Sequence, residues 1–141
     1  MAKKKRNRFK SQQGNHSHAG ISADSSPNYD LMPPLFSLER VQQKGYCLSD
    51  LCQTDKAAFA QAIFKRRQIP WSDIKKLNKH ALGFEKIVKS AIKTPIPPFI
   101  TDEIEHFLAF RFQGLKPMVG YRQKNIFVVL WFDQNFTLYK H

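Results

Sequence analysis

After Pro33 and Pro34, Phe36 and Leu38 alternate with Ser37 and Glu39, and this period of two predicts a first strand over Leu35 to Gln42. From Thr54 the period lengthens. Ala58, Phe59, Ala62 and Ile63 recur at helical spacing, Thr54 can cap, Asp55 suits the first turn, and Lys65, Arg66 and Arg67 suit the last. Pro70 ends that helix, and a second is expected from near Ser72, with Ile74, Leu77 and Ala81 on one side and Gly83 at its exit. Pro95, Pro97 and Pro98 make "KTPIPPFITDE" an extended connector. From Phe107 onward "HFLAFRFQ", "PMVGYR", "IFVVLWFD" and "FTLYKH" follow one another between the turn sequences "QGLKP", "QKN" and "DQN". They predict a four-strand meander whose third strand, apolar on both faces, lies inside the sheet. The resulting order is β-α-α-β-β-β-β, an α+β fold with two helices packed on an antiparallel sheet.

Residues 1–34 have no such period. They are rich in Lys, Arg, Ser, Gln, Asn and Gly and are expected to be a disordered basic tail, dispensable for folding, ahead of a domain over residues 35–141. Net charge is +12. Six of the Lys and Arg and two of the acids lie in the tail, so the folded part is itself basic. Such a surface attracts polyanions, and nucleic acid is the commonest specific reason for it. The longest apolar run, Ile126 to Phe132, is far too short to span a membrane, and no apolar stretch follows the basic start as in a signal peptide. A cytoplasmic chain with no membrane partner is expected. Cys47 and Cys52 alone make neither a zinc site nor a disulfide framework, and His16 and His18 lack further ligands, so no metal or cofactor is expected.

Two patches can carry chemistry. Arg111 interrupts an apolar strand, and an unpaired guanidinium there would be costly. It must face solvent, pair with Glu85, Glu103 or Asp133, or hold an anion. Arg122 ends the next strand, where it could converge with Arg111 on a phosphate. "KHALGFEKI" gathers Lys79, His80, Glu85 and Lys86 around Gly83, either as a site or as a helix exit with its usual cations. RNA cleavage by the neighbouring 2′-hydroxyl needs a base, an acid and charge neutralisation at phosphorus but no metal. His, Glu, Tyr, Lys and Arg suffice, and all occur in these patches and in the last segment. No GxSxG, Walker A, GxGxxG or HExxH motif is present.

With "HALGFEKI" leading into "FLAFRF", then "MVGYR" and "IFVVLWFD", residues 35–141 resemble the RelE/ParE-like toxin superfamily of bacterial toxin–antitoxin systems. There a glycine-containing loop precedes a strand with an internal Arg, and the next strand often ends in Tyr and Arg. Arg111, Tyr121 and Arg122 match these positions. The resemblance implies a small toxin neutralised by a cognate antitoxin. RelE-like members cleave mRNA, usually on the ribosome, whereas ParE-like members poison gyrase. On the RelE-like reading Arg111 and Arg122 would hold the scissile phosphate. His141 or His80 would be acid or base, and Tyr139 and Glu85 would assist. Lys86, Lys116, Tyr121 and Lys140 would bind RNA. A gyrase-blocking toxin and a non-enzymatic RNA-binding module are the alternatives.

Overall fold

The computed structural model describes residues 26–141. The expected basic head of the tail and the pair His16 and His18 lie outside the described residues. Residues 28–32 of the expected tail are part of the fold. Tyr29–Leu31 form a 3-10 turn capped by the Asn28 side chain, the Met32 carbonyl accepts from the Trp71 amide at 3.1 Å, and Asp30 pairs with Lys75 and Arg122.

The chain forms a five-stranded mixed sheet with few helices, an α+β fold. The elements are β1 (Leu35–Ser37), α1 (Gln53–Arg66), α2 (Trp71–Ile74), β2 (Phe84–Val88), β3 (His106–Gln113), β4 (Lys116–Gln123) and β5 (Ile126–Phe132). Spatial order is β1-β5-β4-β3-β2. The pairs β2–β3, β3–β4 and β4–β5 are antiparallel, but β1 lies parallel to β5, with Phe36 opposite Phe127. A wholly antiparallel sheet is therefore corrected to a mixed one. The connection through both helices carries the chain from β1 to β2 at the opposite edge. The antiparallel meander from β2 then returns so that β5 runs beside β1 in the same direction.

Alternation along the strands builds two cores. Phe110, Phe112, Met118, Phe127, Val129 and Phe132 point toward Phe59 and Ala62 of α1 and Trp71 and Ile74 of α2. Phe107, Ala109, Val119, Tyr121, Val128 and Leu130 form the other face, covered by Ile92, Ile96 and Ile100 of the proline connector and by Leu138 and Tyr139 of the last segment. Burial on both faces explains why β5 reads as a continuous apolar run. Gly120 sits where the β4–β5 register shifts, and a Cβ there would run into the Val128 carbonyl.

Three segments differ from expectation. The second helix is only one turn, because after Ile74 the chain enters turns that carry it to β2. Gly83 donates its amide to the Asn78 carbonyl at 3.0 Å, packed too close to Leu77 for any side chain. "FEKIV", for which no strand is expected, is an edge strand. The expected last strand, "FTLYKH", is not a strand. Phe136 adopts φ 58°, which breaks the extended run, and the chain folds back so that the neighbours Leu138 and Tyr139 are both buried.

Candidate functional site

The second face of the sheet carries a cleft of about 410 Å³ at the end nearest the β3–β4 turn. Lys79, His80, Glu85, Arg111, Tyr139, Lys140 and His141 line it, with Leu115 and Phe136 as its apolar wall. Three separate parts of the chain meet there: the turn before β2 with its first residues, the end of β3, and the last segment.

Each side chain has a local reason for its place. Glu85 on β2 is paired with Ala109, so its carboxylate shares a face with Arg111, two residues along β3. Its Oε2 lies 3.7 Å from Arg111 Nη2, and its Oε1 accepts from Lys79 Nζ at 3.3 Å. Of the partners open to Arg111, Glu85 is the one observed. Arg111 Nη1 also donates to the Leu115 carbonyl at 2.6 Å, which pins the guanidinium to the hairpin turn, while its buried Nε has no partner among the described residues. Tyr139 is 3% exposed, and its hydroxyl is likewise without a partner among the described residues. Burial first, and the nearby Glu85 carboxylate second, push its phenol up to about 12. It stays protonated at neutral pH and is therefore a hydrogen-bond donor, not a base.

The imidazole of His141 is held by three neighbours. Its Nε2 lies 3.1 Å from Asp133 Oδ2, its ring is 4.0 Å from that of Tyr139 at 34°, and Phe136 meets it edge-on at 5.1 Å. Asp133 is fully buried just after β5 and also accepts from the amides of Thr137 and Leu138 at 2.9 and 3.1 Å. One carboxylate thus folds the last segment and orients its imidazole. In sequence Asp133 was readable only as a turn residue or a partner for Arg111. The folding role needed the non-strand path of residues 134–141, which the alternation of "FTLYKH" concealed.

The fold does not bring every expected residue here. Arg122 is the clearest correction. In the β3–β4 hairpin Arg111 lies opposite Pro117, near the turn, whereas Arg122 is five residues further along β4, about 17 Å at ~3.4 Å per residue. Arg122 points to the helix face, over Trp71 at 4.5 Å, with Nη2 2.7 Å from Asp30 and Nε donating to the Lys124 carbonyl. Hydrogen bonds from Lys75, then Arg122, hold the Asp30 carboxyl below its ordinary range. Lys116 pairs at 2.8 Å with Asp55, which is 2% exposed at the start of α1. That makes it a tie between helix and sheet. Tyr121 is buried in the second core and borders a different hollow, beside Arg40 and Phe99. Lys86 is exposed on the edge strand, outside the cleft lining.

Among the described residues, no three His, Cys, Asp or Glu side chains gather as a metal ion would need, and no helix is long and apolar enough to cross a membrane. No family model, no curated protein and no solved structure matches the chain.

Proposed function

We propose that this chain is a toxin of the RelE type, a metal-independent endoribonuclease that acts on mRNA in the cytoplasm and is neutralised by an antitoxin. The observation that carries the reading is the meeting of Glu85, Arg111, Tyr139 and His141 in one cleft, although they come from three separate parts of the chain. These are the groups that 2′-hydroxyl attack on a phosphodiester requires. The element order, one strand, two helices and four strands, supports the same reading.

In this mechanism Arg111, with Lys79 and Lys140, neutralises the phosphate as charge builds at phosphorus, and the buried Tyr139 ring backs the His141 imidazole. Glu85 takes the proton from the 2′-hydroxyl. His141, steered by Asp133, gives a proton to the departing 5′-oxygen. His80, at the exposed rim, is the other imidazole in reach of the cleft. The products are a 2′,3′-cyclic phosphate and a 5′-hydroxyl. The test is incubation of purified protein with RNA in excess EDTA, with analysis of product ends. Cleavage with cyclic ends is expected, and cleavage only on added Mg²⁺ would contradict the reading.

A second reading has one observation in its favour. Glu85 already pairs with Arg111 and Lys79, so the cluster could be an ion-pair network under a non-enzymatic RNA-binding surface. Tight RNA binding without cleavage would select it.

A further inference from the structure

Arg66, in the last turn of α1, is 1% exposed. Its Nε donates to the Leu82 carbonyl at 3.0 Å and its Nη1 to the Ala62 carbonyl at 2.9 Å, and the guanidinium lies 4.7 Å from the centre of the Phe110 ring. Its Nη2 is buried with no partner, and no carboxylate lies within ion-pair reach of it among the described residues. A buried cation without a counter-charge is among the costliest arrangements a fold can hold. Burial pulls Arg66 down to about 10, so it remains charged at neutral pH.

This cation lies in the wall of a second cleft, about 320 Å³, between α1 and the β3–β4 turn. Lys65, His80, Arg111, Gln61 and Gln113 contribute donors around it, and its lining contains no Asp or Glu. Low-dielectric walls focus the field of such a cluster into the opening. His80 and Arg111 also line the first cleft, so the two adjoin.

We propose that this second cleft is an anion subsite, in which the charge of Arg66 and the donors of Lys65 and Gln113 take a phosphate group of a polynucleotide strand next to the one beside Arg111. An oxygen seated against the wall would lie in the field of the Arg66 charge, which has no carboxylate to balance it among the described residues. The identity of the strand rests on the ribonuclease reading. The affinity for phosphate does not.

Two measurements test the subsite. Titration with inorganic phosphate should shift the Gln61 and Gln113 side-chain amide resonances saturably. The shifts should persist in a chain lacking Lys140 and His141 and vanish with Lys65→Glu, an exposed change that leaves the fold intact. Absence of saturable shifts in the native chain overturns the subsite. For an all-2′-deoxy oligonucleotide, Lys65→Glu should reduce the slope of log affinity against log salt by about 0.7, the single-strand value for one lost phosphate contact. Lys76→Glu, outside both clefts, should leave that slope unchanged. Saturable phosphate shifts with an unaltered slope in Lys65→Glu would overturn the strand assignment. Neither readout needs catalysis, so a native chain inert toward RNA would defeat the ribonuclease reading and leave the phosphate subsite standing.

Discussion

Tyr139 ties the chemistry of the cleft to measurable physics at the residue scale. Its phenol loses a proton near pH 10 in the unfolded chain and about 12 in the folded one. Folding stability from this group is complete below pH 10 and falls as pH rises toward 12, because the folded state then holds the extra proton. Arg66 opposes it: above pH 10 the folded state gives up a proton that the unfolded state keeps, so stability rises there. The clean readout is therefore phenolate absorbance. One of the four tyrosines should titrate late, near pH 12, and Tyr139→Phe should remove that step. Because the buried hydroxyl has no partner to lose among the described residues, the same change should barely alter the melt. His141→Ala should lower cleavage by about 10²–10⁴, the usual contribution of a general acid, at a stability cost of about 1 kcal/mol for one hydrogen bond. Full activity in that variant would move the acid role to His80. Arg111 was legible in the sequence because a guanidinium among phenylalanines needs a reason. The place of Arg122 was not, because hairpin register decides which residues of two strands meet, and alternation alone does not give it.

The last segment is where element-scale reading departed furthest from the structure. Phe136, Leu138 and the intervening residues alternate as a strand would, yet Asp133 captures the amides of Thr137 and Leu138 and turns the chain back on itself. Side-chain capture of backbone donors competes with strand pairing, and a buried carboxylate with three donors favours capture here. The segment closes the second core, which yields a contrast between two truncations. A chain ending at Tyr139 keeps Leu138 and Tyr139 and should melt within a few degrees of the full chain while losing His141-dependent activity. A chain ending at Asn135 exposes the second core and leaves Asp133 unpaired. Burial worth about 1.5–3 kcal/mol per large apolar side chain predicts a loss of about 3–6 kcal/mol, read by urea denaturation. Equal stability of the two chains would contradict the packing described for Leu138. Conversely, the strand β2 was not legible, because Gly83 and the cations before it satisfy helix-ending chemistry equally well.

Across the whole molecule the α+β class was legible, because the change from helical to strand period is a property of long stretches of chain. The parallel placement of β1 was not, since a three-residue strand carries little pattern and its partner β5 lies far along the chain. The same holds for the site. The residues of an RNA-cleaving cleft could be listed from the sequence, and six of them, His80, Glu85, Arg111, Tyr139, Lys140 and His141, converge, whereas Arg122, Lys116, Tyr121 and Lys86 lie elsewhere in the fold. The central claim is that this cleft cleaves RNA with its own side chains. The most direct measurement compares the native chain with Arg111→Ala on one end-labelled RNA in EDTA, with the melt of each recorded alongside. Loss of a charge contact to the transition state predicts a rate lower by about 10²–10³ in a variant that still unfolds cooperatively. An inactive native chain, or a variant as active as the native one, would contradict it.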